Sequence, residues 1–423
     1  MVKEGYRNTS IGVIPDNWKV ERLSDVGQVT GGNTPRRSTD EYWGGDIPWL
    51  TPSQLTGKLI NEISETDEYI TEKGFENSSV KLLPPGTVIM SSRATIGETV
   101  INKVPMTTNQ GFANIICDEN KVYNYYLLYL LRYITPRLEA LAGGSTFLEI
   151  SRTNVRSVNI PVPSLLEQKK IASILSSVDK SIEKTDEVIE VTKELKKGLM
   201  QELLTKGIGH SDFKDTILGK IPAKWDIKKL RDICNKVTDG THDTPKEVND
   251  GYPFITAKNI TNGKLDFEDC GYVSEKDHKK IISRSKPEKG DILFTHIGTI
   301  GQTVEVNVDF EFSIKNVALF KPNNELIKSK YFKYSLQSNI VQGFIKRILQ
   351  GGVQQYLGLT TLRGFNIPVP PLEEQKKIAS ILSSVDAKLK KEEEYKAKLE
   401  RLKKGLMQKL LTGEIRVNTE MEV

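Results

Sequence analysis

Few residues in this chain carry the chemistry of disulfides, metal sites or general-base catalysis. The 423 residues include three cysteines and four histidines. The cysteines, Cys117, Cys234 and Cys270, are widely separated and show neither CxxC nor metal-ligand spacing, so they predict no disulfide framework and no zinc site. We therefore expect a reducing, cytoplasmic environment and no bound metal ion.

The motifs of nucleotide binding and hydrolysis are missing as well. The sequence contains no GxxxxGK[ST], GxGxxG, HExxH or GxSxG motif, which removes the main signatures of an enzyme. The acidic residues Asp16 and Glu21 vaguely suggest a nuclease metal motif, but its lysine is missing, and Asp16-Asn17 favours a turn. No apolar run approaches the roughly 20 residues that span a bilayer. These absences predict a non-catalytic chain outside the membrane.

The charge balance is mildly basic. The chain has 60 Lys and Arg against 55 Asp and Glu, with a net charge of +5. This balance permits a polyanion as a partner without requiring one. A hydrophobic fraction of 37% is enough for several globular domains with buried cores.

A long internal repeat dominates the sequence. Residues 159–179 and 366–386 are identical at 19 of 21 positions and lie 207 residues apart. The same spacing aligns LKKGLMQELLT, which begins at Leu195, with LKKGLMQKLLT, which begins at Leu402. An IPxxW motif also occurs twice, at 14–18 and at 221–225. One unit of 207 residues is therefore present in two copies.

The first part of each copy has the pattern of a β-rich domain. Short apolar runs such as 87–90 and 114–116 lie between clusters of Gly, Pro, Asn and Thr, which is typical of strands joined by turns. One helix is predicted at 123–137, and the second copy repeats the scheme with a strand at 291–294 and a helix at 331–348. The predicted fold class is α+β, with two tandem β-rich α/β domains.

The second part of each copy has a helical period. From Ser164 to Thr205 apolar residues recur at spacings of three and four, which predicts one long amphipathic helix. Ser164 with Glu167 forms a capping-box pattern, and the second copy has Pro371 at the equivalent position, which suits a first helical turn. A helix of about 40 residues is roughly 60 Å long and needs a partner for its apolar stripe.

The two long helices are predicted to pair with each other as an antiparallel coiled coil. The predicted interface is formed by Ile171, Leu175, Val178, Ile182, Leu195, Leu199, Leu203, Ile378, Leu382, Val385, Leu389, Leu399, Leu402, Leu406 and Leu410. Gly198 and Gly405 lie inside these helices, where glycine is unfavourable; close approach of two helices and a local fray or kink near the helix end both explain them. The predicted segments are 1–160 and 211–367 for the two globular domains and 161–210 and 368–423 for the two helical spacers.

This arrangement resembles the specificity subunit of type I restriction-modification systems. The resemblance rests on paired EQKKIA segments at 167–172 and 374–379, with the two IPxxW motifs, and covers essentially the whole chain. It implies two target-recognition domains that each read one half of a split site in double-stranded DNA. The helical repeats would set the gap and dock two methyltransferase subunits. Two ATP-dependent restriction subunits would also assemble, and AdoMet, ATP and Mg²⁺ would be used by these partners while this chain binds no cofactor.

Base recognition favours Arg, Asn, Gln, Ser and Thr on loops that enter a groove. In the first domain the predicted DNA-binding residues are Asn33, Thr34, Arg36, Arg37, Ser92, Arg93, Asn109, Gln110, Ser145 and Thr146. In the second domain they are Thr241, His242, Lys258, Asn259, Thr295, His296, Lys315, Asn316, Gln354 and Gln355. Since the helical repeats are nearly identical and these loops are not, we expect two different half-sites. Turn chemistry is the other explanation for such residues, and Arg36 and Arg37 also suit phosphate contacts.

Two other function classes remain open from the residues alone. The main alternative is a non-enzymatic coiled-coil adaptor whose globular domains bind peptides or glycans. The other class is a self-sufficient nuclease or methylase whose active site matches none of the motifs above. Salt-sensitive DNA binding discriminates against the adaptor, and inactivity of the isolated chain discriminates against the enzyme.

Overall fold

The chain forms two compact units that each combine a globular part with portions of both long helices. The computed structural model describes residues 3–57, 60–143, 148–261, 263–350 and 356–418. Unit 1 comprises Met1–Asp186 with Tyr395–Val423, and unit 2 comprises Glu187–Glu394. The four predicted segments are continuous stretches of sequence, whereas these units divide each long helix between them.

The globular part of unit 1 is built from short strands and short helices. Its strands are β1 (Tyr6–Thr9), β2 (Gly12–Pro15), β3 (Lys19–Arg22), β4 (Gly27–Gly31), β5 (Trp43–Leu50), β6 (Glu62–Ile63), β7 (Glu68–Ile70), β8 (Val88–Ser91), β9 (Thr99–Asn102), β10 (Thr107–Thr108), β11 (Phe112–Cys117) and β12 (Asn159–Val162). Its helices are α1 (Leu23–Val26), α2 (Glu72–Glu76), α3 (Asn124–Tyr133), α4 (Thr135–Ala140) and α5 (Arg152–Ser157), with 3₁₀ helices at Asp40–Tyr42 and Pro52–Gln54.

Two sheets carry the loops of unit 1. The five-stranded sheet has the order β4-β11-β8-β9-β6, and the three-stranded sheet has the order β10-β5-β7. The pairs β6-β9 and β10-β5 are parallel, while the others in these sheets are antiparallel. The NIPV segment forms β12, which pairs with β3 and so closes the domain directly before the long helix. Helix α3 packs into the core with Tyr126, Leu127 and Leu130 buried.

The globular part of unit 2 repeats this scheme. Its strands are β13 (Phe213–Thr216), β14 (Gly219–Pro222), β15 (Asp226–Lys229), β16 (Cys234–Asp239), β17 (Glu247–Ile255), β18 (Ile260–Thr261), β19 (Lys264–Leu265), β20 (Gly271–Val273), β21 (Ile292–Thr295), β22 (Thr303–Glu305), β23 (Ser313–Ile314), β24 (Val317–Pro322) and β25 (Asn366–Val369). The long helix that follows β12 is α6 (Leu165–Thr205). The helices of the second globular part are α7 (Leu230–Ile233), α8 (Glu275–Ser285), α9 (Ser329–Gln337), α10 (Asn339–Gln350) and α11 (Leu359–Arg363), with a 3₁₀ helix at Ala257–Asn259.

The sheets of unit 2 correspond to those of unit 1. A four-stranded antiparallel sheet has the order β16-β24-β21-β22, and a three-stranded sheet has the order β20-β17-β23. Strand β23 is parallel to β17, as β10 is to β5 in unit 1. The predicted strands at 87–90, 114–116 and 291–294 are present as β8, β11 and β21. Each predicted domain helix is broken into two, at Ile134 and at Ser338.

The two long helices are present as predicted. Helix α6 has 41 residues, and α12 (Leu372–Leu411) has 40. Within unit 1 the first part of α6 lies beside the last part of α12, where Lys403 Nζ is 2.5 Å from Asp179 Oδ1. Within unit 2 the last part of α6 lies beside the first part of α12, where Lys196 Nζ is 2.7 Å from Asp386 Oδ1. The antiparallel direction of the pair is therefore present in each unit.

The predicted helix interface needs one correction. Leu195 and Leu402 are 52% and 50% exposed, so these two side chains do not lie in a buried seam. The adjacent Lys403 is buried instead, because its ammonium group pairs with Asp179 across the helices. Partial exposure remains at Val178, Leu199, Leu389 and Leu406. The remaining predicted interface residues are buried: Ile171, Leu175, Ile182, Leu203, Ile378, Leu382, Val385, Leu399 and Leu410.

The glycines inside the helices do not mark a close helix contact. A Cβ atom added at Gly198 or Gly405 would meet no other atom of the described residues within 4 Å. Both helices also continue through these positions without a break. Neither close approach within this chain nor fraying explains them.

No helix within the described ranges is both long and apolar enough to cross a membrane.

Candidate nucleic-acid interface

The residues of the repeated motifs fasten each globular part to its long helix. Trp18 Nε1 donates to Glu167 Oε2 at 3.1 Å, and Trp225 Nε1 donates to Glu374 Oε2 at 3.1 Å. In unit 1 the same carboxylate also accepts two hydrogen bonds from Arg416. The IPxxW and EQKKIA motifs therefore recur together because their tryptophan and glutamate are partners.

The predicted capping box at the start of α6 is only half formed. The Ser164 hydroxyl accepts a hydrogen bond from the Glu167 amide at 3.3 Å. The Glu167 carboxylate, however, binds Trp18 and Arg416, so the predicted return bond to the start of the helix is replaced by these contacts. The buried indole is a partner that the local sequence pattern does not reveal.

The glutamine of each EQKKIA motif binds the backbone of the globular part. Gln168 is fully buried; its Oε1 accepts from the Tyr123 amide at 2.7 Å, and its Nε2 donates to the carbonyls of Lys121 and Pro163 at 2.9 Å each. In unit 2 Gln375 makes the equivalent three bonds to Lys328, Leu326 and Pro370. These bonds fix the start of the domain helix and hold the sheets in the same relation to the long helix in each unit.

The loops predicted to contact DNA have the same backbone arrangement in the two units. After β4, the Asn33 amide donates to the Thr108 carbonyl at 2.9 Å; after β16, the Thr241 amide donates to the Ile314 carbonyl at 3.0 Å. The glycine before each donor is required by close approach. A Cβ on Gly32 would lie 2.1 Å from the Thr108 carbonyl oxygen, and a Cβ on Gly240 would lie 2.2 Å from the Ile314 carbonyl oxygen.

The side chains on these matched loops differ between the units. In unit 1 the Thr34 hydroxyl donates to Gln110 Oε1 at 2.5 Å. In unit 2 the equivalent contact joins His242 Nδ1 and Asn316 Oδ1 at 2.8 Å. The two loop pairs therefore present different hydrogen-bonding groups on one backbone geometry. We call these loops, 32–34 with 109–111 and 240–242 with 315–316, the reading loops.

Backbone with positive φ occurs beside the reading loops of unit 1 and within those of unit 2. Among the described residues, the non-glycine residues with positive φ are Ala94, at 65°, and Asn316, at 53°. Ala94 lines a cleft of about 230 Å³ with Arg93, Asn109 and Gln110. Residues in this conformation cost free energy and cluster at functional sites, so their positions favour these loops as the site.

The remaining predicted residues of unit 1 have mixed environments. Arg36 is exposed, as a phosphate contact requires. The Arg37 guanidinium binds Glu68, with Nη2 2.9 Å from Oε2, and lies over the rings of Trp43 and Trp49. The Glu68 carboxylate raises the pKa of Arg37, so this arginine already has an anionic partner.

Ser92 and Arg93 are neighbours with opposite exposure. Ser92 is buried, and its amide donates to the Gly111 carbonyl at 2.8 Å directly after strand β8. The Arg93 side chain is half exposed, with Nε 3.8 Å from Glu149 Oε2. Arg93 is therefore the more accessible of the two, and both base contacts stay predictions.

In unit 2, three predicted residues are buried and form structural contacts. Asn259 caps its own turn through the Thr256 amide at 3.0 Å. Thr295 accepts from the Gln302 amide at 2.9 Å. His296 Nδ1 is 2.9 Å from the Leu357 carbonyl, and burial lowers the pKa of its imidazole. The structure thus gives Asn259, Thr295 and His296 a structural role, and their base contacts stay predictions.

The other predicted residues of unit 2 are accessible. Lys258 is exposed near Asp269, and Lys315 Nζ donates to the Thr244 hydroxyl at 2.5 Å. His242 Nε2 is 3.0 Å from Asp239 Oδ2, and this buried carboxylate also binds Arg284. Residue type alone did not reveal Asp239, since no pattern in the sequence links it to His242.

Four predicted residues lie outside the described residues: Ser145, Thr146, Gln354 and Gln355. Within the described ranges, no three His, Cys, Asp or Glu side chains are grouped as a metal site would require.

Comparisons with known proteins identify the family. The type I restriction modification DNA specificity domain matches twice, at residues 15–193 and 222–401. The MjaIX specificity subunit of Methanocaldococcus jannaschii is 33% identical over 97% of this chain and 96% of its own length. The putative MjaX specificity subunit of the same organism is 30% identical over 99% and 98%. The fold resembles the S subunit of a type I restriction-modification system from M. genitalium, with a TM-score of 0.60, 19% identity, and coverage of 93% and 96%. The chain therefore belongs to the type I restriction-modification specificity subunits, the non-catalytic parts that give these systems their DNA specificity.

Proposed function

We propose that each unit reads one half of a split, asymmetric site in double-stranded DNA through its reading loops. The observation that carries this proposal is that the reading loops of the two units have the same backbone arrangement but different side chains. Thr34 and Gln110 occupy the positions that His242 and Asn316 occupy in the other unit. A protein that reads two different half-sites needs the same loop geometry twice and different base-contacting groups.

The spacing between half-sites is set, in this proposal, by the paired long helices. Each globular part is bound to its own helix by a buried glutamine and a tryptophan–glutamate pair, so it has a fixed orientation on that helix. We infer that the length of the helices then determines the distance between the two half-sites. The gap in the DNA site is then fixed instead of variable.

The helices also dock two methyltransferase subunits, and we assign this docking to a repeated apolar stripe. In unit 2 the exposed residues Val188, Val191 and Leu195 follow one another at helical spacing on α6. In unit 1 the equivalent positions of α12 are Tyr395, Lys398 and Leu402, of which Tyr395 and Leu402 are exposed apolar residues. Exposed leucines inside the identical sequence LKKGLMQ fit two copies of one partner, since equal surfaces bind equal molecules.

DNA reading is tested by selection from a random DNA library with the purified complex of this chain and its cognate methyltransferase. The expected result is enrichment of one split sequence whose two halves differ, with binding that weakens as salt rises. Enrichment of no sequence by an intact complex contradicts the proposal and favours the adaptor. Methyl transfer or DNA cleavage by the isolated chain would instead favour a self-sufficient nuclease or methylase.

Docking is tested by the mass of the complex in solution. Wild-type chain mixed with excess methyltransferase is expected to bind two copies, Leu195→Asp or Leu402→Asp one copy, and the double variant none. Ile217→Asp is the control, because Ile217 is an exposed apolar residue in a turn of unit 2, outside the long helices. Two bound copies on the double variant would show that the stripe is not the docking surface.

A further inference from the structure

In each pair of reading loops a carboxamide occupies the same backbone position. Short strands β10 and β23 end at Thr108 and Ile314. The next amide in each unit donates to the neighbouring parallel strand, from Asn109 to Leu50 at 3.0 Å and from Lys315 to Ile255 at 2.9 Å. Gln110 and Asn316 directly follow these matched amides, so they are equivalent residues.

The carboxamide in unit 1 is held in place by the facing loop. The hydroxyl of Thr34 donates to Gln110 Oε1 at 2.5 Å. A carbonyl oxygen has two lone pairs, so Oε1 retains capacity for a second donor while the amide nitrogen supplies its own N–H groups. Gln110 therefore presents a donor and an acceptor side by side in a fixed plane.

The carboxamide in unit 2 is held by a longer relay. His242 Nδ1 is 2.8 Å from the Asn316 amide, and His242 Nε2 is 3.0 Å from Asp239. Asp239 is buried and also binds Arg284, so the acid anchors the ring and the ring fixes the plane of the amide. The positive φ of Asn316 shows that its backbone is also constrained here.

A planar donor–acceptor pair matches one base in the major groove. Adenine presents N7 as an acceptor beside its N6 amino donor, and Asn or Gln binds both at once. Guanine presents two acceptors at the same edge, so a carboxamide cannot satisfy both with its single donor side. The fixed amides thus discriminate by hydrogen-bond pattern.

We propose, on the basis of the function proposed above, that Gln110 and Asn316 each recognise one adenine·thymine pair in their respective half-sites. Thr34 and His242 are positioning residues that orient the two carboxamides. One position in each half-site therefore depends on one side chain, and the two positions change independently because the residues lie in different units.

The test is methylome sequencing of cells that express the cognate methyltransferase with wild-type chain, Gln110→Glu or Asn316→Asp. A carboxylate accepts but does not donate, so it repels adenine N7 and suits the cytosine amino group. Gln110→Glu is expected to lower the methylation of sites that have adenine at the position read by Gln110 by about 5- to 150-fold. The other positions of that half-site should keep their base preference. Asn316→Asp should change one position of the other half-site, and the gap should stay the same in both.

Controls separate base reading from charge, folding and positioning. Asn120→Asp makes the same amide-to-acid change on an exposed turn outside the reading loops and should leave the motif unaltered. Thr34→Val should weaken preference at the same base pair as Gln110→Glu, because it removes the orienting donor. Gln110→Ala should relax that single position without introducing a new base.

Several results would overturn the proposal. An unchanged motif in Gln110→Glu and Asn316→Asp means that other groups read the bases. Uniform loss of modification in both Gln110→Glu and Gln110→Ala, while the complex still assembles, means a phosphate or structural role. A wild-type chain that directs no motif contradicts the proposed function itself, which is a distinct outcome.

Discussion

Replacing the buried glutamine of the first EQKKIA motif tests how the globular part is fastened to its helix. Gln168→Ala removes three hydrogen bonds, of 2.7, 2.9 and 2.9 Å, to the backbone of Tyr123, Lys121 and Pro163. Each such bond contributes about 0.5–1.5 kcal/mol, and the backbone groups left behind are costly when buried. The expected local destabilisation is about 3 kcal/mol.

Hydrogen exchange measured by mass spectrometry resolves this effect by unit. A loss of about 3 kcal/mol accelerates exchange through local opening by about 150-fold, so peptides that contain the Tyr123 amide should exchange much faster in Gln168→Ala. Peptides around Lys328, whose amide binds the equivalent Gln375, serve as an internal comparison and should be unchanged. Gln375→Ala should give the reverse pattern.

The matched control for this prediction is Lys169→Ala, which changes the exposed neighbour of Gln168. Surface substitutions of this kind alter stability by less than about 0.5 kcal/mol. If Gln168→Ala exchanges around Tyr123 no faster than Lys169→Ala does, the three bonds do not fasten the domain and the reasoning is wrong.

Three further predictions concern stability and reactivity. Gly198→Ala and Gly405→Ala should each raise the free energy of unfolding by about 1 kcal/mol, since both sites are helical with open space around them; a lower urea midpoint would contradict this. Burial raises the pKa of Cys117 and Cys234 to about 12, so their contribution to stability is complete below pH 9 and lost as pH rises towards 12. Both thiols should resist iodoacetamide at pH 8 until the protein is unfolded in urea. Arg416→Ala should lower the urea midpoint by the equivalent of about 1–2 kcal/mol, because it removes two bonds to a buried carboxylate; an unchanged midpoint would refute this.

The sequence predicted the scaffold better than the contact surface, for physical reasons. The long helices were predictable because an apolar period of three and four persists over 40 residues. The exposure of Leu402 was not, since the same period describes residues that face a partner protein and residues that face a helix of the same chain. The break of the first domain helix at Ile134 was also missed, although Pro136, in the first turn of the second half of that helix, is a signal for it.

The candidate site was predicted by loop and only partly by residue. Gln110 and Asn316 lie on the predicted loops, and each contacts a residue of the facing loop. Ser92 and Thr295 have the expected residue types but are buried, since composition does not report the direction of a side chain at the end of a strand. The contact between Trp18 and Glu167 could have been predicted from the sequence, because the IPxxW and EQKKIA motifs both recur at the same offset of 207 residues.

Methylome sequencing shows whether this chain directs modification to a split DNA site. Cells that express the chain with its cognate methyltransferase are compared with cells that express the methyltransferase alone. In the cells that express both proteins, we expect additional adenine methylation at one motif that has two different halves and a fixed gap. A complex that assembles and yet directs methylation to no motif would contradict it.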